Sequence, residues 1–552
     1  MDLLKFILIY TLLISSVVGY GLIFSSIFTN YNIYKNKDLS IGYIGLFGIL
    51  FSILISYLTN LILPHNNLHN IIFLLVGIFI FFYFLNKKKI YISKYLIFSY
   101  LISFFALFYF KSHDDFSYYH LSLIDNLTEN KIEFGISQFD IAFNHVSSLF
   151  YFHSLFKTFL TGNYFYQLGQ ITIFIFVNTI LFESVFKKKD KKYLNVSFFL
   201  KIFLIIFLNI FFYRLAEHGT DRSAQILFFL VFILTIDLFE NNKLKNDIFE
   251  LIIILFTLII SIKSFYLLYS ILFLLVYFKY FKINKLSKIF KIFPIIYICF
   301  FILLLTIISN VAASGCLLYP VATTCFDLFF WGYGKENVIG AMEWYEIWSK
   351  AGASPNYRVE NFSEYLSNFN WVSNWLENYF FNKMSDFLIG ILFSLAVVIL
   401  IFKVKKISFN NFKKYKYFFL ILLILIVEWF LNHPALRYGG YVLFFIILCL
   451  PVSIMISNLK YKRKDYIQSI KIIFSIVIII YASRNVIRLV NENDIYNYNF
   501  LNSPFYNIQD NYFTMKNNKK IFFYDISICE EKNSIKNLKC KKIKGYNFYY
   551  KE

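Results

Sequence analysis

Residues Lys111 to His120, KSHDDFSYYH, follow a long apolar run and place two aspartates, two histidines and two tyrosines within ten positions. Neighbouring carboxylates and imidazoles are equipment for taking a proton from a hydroxyl. Asp114 and Asp115 fall just after the expected fourth membrane span, where a carboxylate meets both water and lipid headgroups. At such a partly dry edge its pKa is expected to rise toward the working range. Asp115 is the favoured base by its place in the motif, although no spacing argument separates it from Asp114. The competing structural role for both is to cap the following helix. His113, Tyr118 and His120 in the same stretch, and His145 further on, are candidate contacts to an acceptor or a sugar.

A second set of residues suits an anion. Arg214 and Arg222 flank a short turn holding Glu217, His218 and Asp221, and Arg437 lies in HPALRYGG, where Gly439 and Gly440 permit close backbone approach. Lys263 interrupts an apolar stretch and needs either the membrane interface or an anion. Arg214, His218, Arg222, Lys263 and Arg437 are therefore expected to bind phosphate, since arginine presents a planar fork of donors. The structural alternatives are that the arginines end spans by reaching for headgroups and that Lys263 punctuates a hairpin. Trp331 and Trp344, with Tyr345 and Trp348, offer stacking faces for sugar rings, whereas Trp371 and Trp375, four apart, look like an interfacial anchor.

Positioning these residues falls to an unusually apolar chain. Its 552 residues are 59% hydrophobic and 16% charged, against about 25% charged in ordinary soluble domains. Fourteen spans are expected: 3–28, 41–63, 70–86, 91–110, 163–186, 193–213, 223–240, 248–262, 264–281, 292–310, 384–402, 417–432, 441–458 and 468–486. The net charge of +21 comes from lysine clusters in alternate connections, which is topogenic and excludes nucleic acid as the partner it would otherwise suggest. The positive-inside rule then sends 64–69, 111–162, 214–222, 311–383, 433–440 and the tail after 487 outward. All eight histidines lie in or beside those connections, as do six of the seven arginines: Arg214, Arg222, Arg358, Arg437, Arg484 and Arg488. Cys316 with Cys325 and Cys529 with Cys540 fall on that oxidising side and are read as two local disulfides. No His or Cys pair has zinc spacing, so no metal ligands are assigned; Asp114, Asp115 and Asp140 leave a divalent cation as the one cofactor in question. After Leu121 an amphipathic helix is expected to lie along the interface. The tail is expected to fold as a hairpin of KIFFYDISIC and KKIKGYNFYY.

An acidic pair at the outer end of a span, then an aromatic and an interfacial helix, closed by NHVSSLFYFHSLF, resembles the first external loop of GT-C integral membrane glycosyltransferases. That class includes protein mannosyltransferases and enzymes that transfer sugars to lipid A or O-antigen. YRLAEHGTDRSAQ, IKSFYLLY, SGCLLYPVATTCF, HPALRYGG and the two-cysteine tail are similar to a poorly characterised bacterial group of such proteins. In better-known members the acidic loop follows the first span, so residues 1–90 would be an N-terminal addition. The resemblance implies an all-α GT-C-like fold of about 14 transmembrane helices. It places a core at 91–310 with its external loop at 111–162, a large external loop at 311–383, spans at 384–486 and a tail at 487–552. It also implies transfer of a sugar from a polyprenyl-phosphate donor to a lipid, glycan or protein acceptor at the bacterial inner membrane, outside the cytoplasm. The competing functions are a lipid-linked oligosaccharide flippase, for which Glu183, Lys201, Asp237 and Glu428 would line a cavity, and a polysaccharide polymerase.

Overall fold

The computed structural model describes residues 3–28, 39–87, 91–186, 194–240, 246–280, 293–353, 359–404, 412–457, 463–508 and 538–551. The chain is a helical, multi-pass membrane protein, and among the described residues it carries one small strand pair near its C-terminal end. Among the described residues ten helices are long and apolar enough to cross a membrane. The first three are α1 (Leu3–Phe28), α2 (Ile41–Asn60) and α3 (Asn67–Asn86), and α4 (Lys94–Leu107) follows them as a shorter apolar helix. Their starts are set locally: Ser40, Asn66 and Ser93 each accept a hydrogen bond from a backbone N–H of the first turn. Three further expected spans are also short: Val196–Ile206, Asn246–Ile262, and Ser264–Ile271 running into Leu272–Tyr280.

Close packing in this apolar bundle relies on small residues, because lipid supplies no hydrophobic drive between helices. A β-carbon at Gly48 of α2 would fall on the Val17 carbonyl oxygen of α1, and one at Gly21 on the Ile44 carbonyl. Gly19 and Gly77 bring α1 and α3 together in the same way.

The bundle has two chemically different ends. At one, all six connections expected on a common face converge. His65 N–H donates to Leu127 C=O, His113 N–H to Glu217 C=O, Gly135 N–H to Ala312 C=O, and Asn507 N–H to Phe110 C=O. Trp375 Nε1 donates to the Pro434 carbonyl. At the other end Glu240 accepts from Asn195, from the Val196 amide and from the Tyr415 hydroxyl, and Lys201 pairs with Asp237 at 2.9 Å. That end carries Lys403, Lys413, Lys414 and Lys416; Lys35, Lys37, Lys187 to Lys192, Lys243 and Lys245 lie outside the described residues.

Several expectations need correction. The helix after His120 forms (Leu121–Glu129), yet Leu121, Leu123, Asp125 and Asn126 are all buried in protein, because the loop folds back over the bundle instead of lying on lipid. Trp371 and Trp375 are core residues packed on Phe430, not an interfacial anchor. The last helix runs on to Tyr496, ten residues past the expected end. The hairpin is made by β1 (Leu538–Ile543) and β2 (Tyr546–Lys551), so the second of the two expected pieces does not form a single strand: it turns in its middle and supplies the second half of β1 and nearly all of β2. Its turn is Lys544-Gly545, both at positive φ, the tight geometry that a glycine in the loop favours. KIFFYDISIC and Cys529 lie outside the described residues.

Gly48→Val should lower the thermal unfolding midpoint of detergent-purified protein, by the equivalent of at least about 1–3 kcal/mol as an overpacked core. Gly340→Ala on the exposed side of the helix Lys335–Lys350, where a β-carbon at residue 340 meets nothing within 4 Å, should hold or raise it.

Candidate functional site

The converging end holds a row of alternating charges drawn from four separate connections. Asp115 sits just before a wide π-type turn, Phe116–His120, that leads into Leu121–Glu129. Asp221 is in the first turn of the helix Thr220–Glu240, and Lys263 ends the one begun at Asn246. Arg437 lies in a second wide turn, Leu436–Gly440. Such turns recur at functional sites because they break the regular backbone and re-aim a side chain.

Arg437 stands at the middle of the row. Its Nη2 lies 3.2 Å from Asp115 Oδ2, and its Nε donates to Asp221 Oδ2 at 3.1 Å. The other oxygen of Asp221 is 2.8 Å from Lys263 Nζ. The backbone around Arg437 is fastened on three sides. Gln225 Nε2 donates to the Arg437 carbonyl while its Oε1 accepts from Val442 N–H. Leu436 N–H donates to the Tyr379 hydroxyl, and Trp429 Nε1 to the Ala435 carbonyl. Gly439 is at φ +90°, and a β-carbon there would collide with the Tyr269 hydroxyl. The guanidinium carbon lies 5.6 Å from the Trp348 ring centre and 5.8 Å from that of Tyr438, so aromatic rings cover its face.

Imidazoles surround this row. His113 Nδ1 accepts from the Asp115 backbone N–H and is 3.6 Å from Asp115 Oδ2. The His113 ring meets that of His218 at 5.5 Å. His120 is buried against Gly219, and His145 Nε2 is 2.8 Å from the Tyr345 hydroxyl on the overlying helix Lys335–Lys350. Burial brings His120 and His145 down to about 3, the Asp115 charge opposing it at His120, and burial with Arg222 pushes His218 well down. These rings are neutral at physiological pH and act as hydrogen-bonding groups. Burial acts to raise Asp115, but Arg437 and His113 outweigh it and hold the carboxyl below its usual value. The expected upward shift is therefore reversed, because the sequence does not reveal that an arginine 322 positions away is its partner.

The expected phosphate ligands divide into two groups. Lys263 and Arg437 are neutralised by carboxylates, and Arg214 pairs with Glu217, which Arg488 also approaches at 3.4 Å. Arg222 has no carboxylate within ion-pair distance among the described residues. Its guanidinium packs over Phe212 at 5.0 Å and Tyr441 at 6.0 Å. Lys383, not singled out by the sequence, lies 5.8 Å over Tyr379, the side chain that holds Leu436.

A family model described as a domain of unknown function (DUF8201) matches residues 3–444. The chain belongs to that family. No curated protein and no solved structure matches it. The DUF8201 match takes in every member of the charged row and ends just after Gly440, leaving the last helix and the hairpin outside.

The remaining candidates scatter. Asp114 is exposed beside Asp115. Tyr118 donates to Asp140, which also caps the turn at Ile141–Asn144. Trp331 is used structurally: its Nε1 donates to Val311 C=O and its ring stacks on Phe329. Trp344 points out to solvent, 47% exposed, and Trp348 one turn later is the tryptophan that reaches the site. Cys316 and Cys325 form the expected disulfide, and Cys540 is disulfide-bonded. Arg484 and Arg488 hold backbone carbonyls, Arg488 capping the end of α4 through Phe105 and Phe108; Arg358 lies outside the described residues. Among the described residues no three His, Cys, Asp or Glu are grouped to hold a metal ion.

Because the folded state holds Asp115 as a carboxylate below its usual pKa of about 4, its stabilising contribution is present above that pH and is lost as pH falls through the folded-state value. The unfolding midpoint followed from pH 7 to pH 3 should therefore fall less steeply for Asp115→Asn than for wild type. Arg437→Met should lower the midpoint at pH 7, and adding Asp115→Asn to it should restore part of the loss, a coupling of about 0.5–3 kcal/mol in the double-mutant cycle.

Proposed function

We propose that this protein is a membrane glycosyltransferase of the GT-C type, moving a sugar from a polyprenyl-phosphate donor to an envelope lipid, glycan or protein acceptor on the extracytoplasmic face of the bacterial inner membrane. The observation that carries this reading is the charged row at the ends of the spans: an ionised carboxylate beside the cations that pair with it and its neighbour, and close by Arg222, which among the described residues has no carboxylate within ion-pair distance.

In the transfer, Asp115 takes the proton of the acceptor hydroxyl. The acceptor oxygen bonds to the anomeric carbon as the bond from that carbon to the phosphate oxygen breaks. The phosphate leaves on the prenyl carrier with an added negative charge, which Arg222 and Lys383 offset, with Arg437 as the third cation. Arg437 also sets the order of events. While it holds Asp115 the carboxylate is a weak base, and a donor phosphate that draws the guanidinium away raises its basicity at the moment the acceptor needs it. Trp348, whose ring lies against Arg437, offers a surface for the sugar ring from the covering helix, and the buried Tyr345 ties that helix to His145. The pairing of Lys201 with Asp237 at the far end, and the hydrogen bond that the half-buried Glu428 accepts from Asn432 one turn along its own helix, favour this reading over a flippase with a charged central cavity.

The test is sugar transfer by purified protein in liposomes, given radiolabelled polyprenyl-phosphate sugars and a crude envelope acceptor fraction. Asp115→Asn should cut transfer by at least about 100-fold, the usual scale for a general base, with the fold and donor binding retained. Arg222→Gln should weaken donor binding, and Asp114→Asn should act mildly. Label carried across the bilayer without any new glycosidic product would assign a transporter instead.

A further inference from the structure

The C-terminal hairpin carries a charge pattern that the rest of this end lacks. Residues 538–551 contain five lysines and no acidic residue. The bundle's other lysine clusters lie in the connections to the opposite end and are explained by topology, so these need a different reason. The hairpin is docked firmly. Phe134 N–H donates to Asn547 C=O and Tyr549 N–H to Phe134 C=O, so residue 134 acts as a third strand beside β2. On the inner face Asn547 and Tyr549 both donate to the buried Glu133.

Strand alternation then turns the other side chains outward. In register across the pair, Lys539 stands opposite Tyr550, Lys541 opposite Phe548 and Ile543 opposite Tyr546. Phe134 and Phe330 extend this sheet of half-exposed aromatics, and Lys131 sits 4.0 Å over Tyr546. The Tyr546 hydroxyl donates to the Leu61 carbonyl at the end of the α2 span, next to Ile62, which is 75% exposed. Leu328, two residues before Phe330, is 93% exposed. Lysines, half-buried aromatics and bare aliphatic side chains at the end of a span form the pattern of a surface resting at the headgroup level.

We propose that the outward face of this hairpin binds the phosphate headgroups of anionic phospholipids in the leaflet at the site's end of the bundle. A lysine near such a surface is worth about 1 kcal/mol, roughly fivefold in affinity. Through residue 134 the contact would also hold the connection that bears Asp115.

The full chain in nanodiscs provides the test, by hydrogen–deuterium exchange of the hairpin amides in phosphatidylcholine alone and with about one-third phosphatidylglycerol. Phosphatidylglycerol should slow exchange across 538–551 at least about fivefold, and raised salt should reverse much of this. Lys539→Gln/Lys541→Gln/Lys544→Gln should abolish the difference, whereas Lys413→Gln/Lys414→Gln/Lys416→Gln at the opposite end should keep it. Unchanged slow exchange of the first variant in phosphatidylcholine shows that its hairpin is folded; should that be lost, the Lys→Arg triple must retain the lipid effect. Equal exchange in the two lipids, a Lys539/Lys541/Lys544 variant that still responds, or equal protection by soluble glycerol phosphate would overturn the proposal.

Discussion

Arg437 lies between two carboxylates contributed by connections that are far apart in sequence, and the arrangement of this end depends on that contact. Asp115, Asp221, Lys263 and Arg437 are each partly withdrawn from water, with side-chain exposures of 27%, 14%, 22% and 35%. Bringing any one there alone would be costly, and the cost is contained because the signs alternate along the row. Four connections must therefore close together. Much of the local detail serves that closure: wide turns at 116–120 and 436–440, Gly439 at positive φ against Tyr269, and Gln225 gripping the backbone on both sides of the turn.

Much of this organisation was legible in the sequence. Runs of about twenty apolar residues announce helices regardless of what they pack against, and each of the fourteen expected spans falls on a helix, four of them short. The alternation of lysine clusters then sorted the connections into two sets, and the connections of one set do meet at one end. Asp115, Arg437 and Lys263 stood out because a charge beside apolar residues needs a reason. Which charge answers which was not legible. Four cations look equivalent in the sequence, yet in space Arg214 belongs to Glu217, Lys263 and Arg437 to the aspartates, and Arg222 to two aromatic rings.

The misread residues share one cause. Trp371 and Trp375 sit in a polar stretch that suggests a surface, but the loop folds back and inserts them into the main core of the bundle, where they pack on Phe430. The helix Leu121–Glu129 was misplaced for the same reason: its apolar face is covered by protein, not by lipid. Periodicity shows that a face will be buried and leaves its cover unspecified. Trp348 is one of several tryptophans in its loop and nothing local sets it apart from Trp344, while Lys383 carries no local signal at all; their relevance is that of the turn Leu436–Gly440, which they approach from a different connection.

The sum of charges in the row also constrains where an anion can go. Asp115 and Asp221 balance Arg437 and Lys263, so the row by itself presents no net positive charge to a phosphate. Immediately after Asp221 on the same helix, Arg222 packs over the faces of Phe212 and Tyr441 with no carboxylate within ion-pair distance among the described residues, and Lys383 lies over a tyrosine. Aromatic faces attract a cation without neutralising it, so these two keep a full charge toward any anion that approaches. The neutral row and the uncompensated cations are thus complementary. One keeps a carboxylate ionised at the rim of a lipid bilayer, and the other supplies the field that a phosphate would follow to reach it.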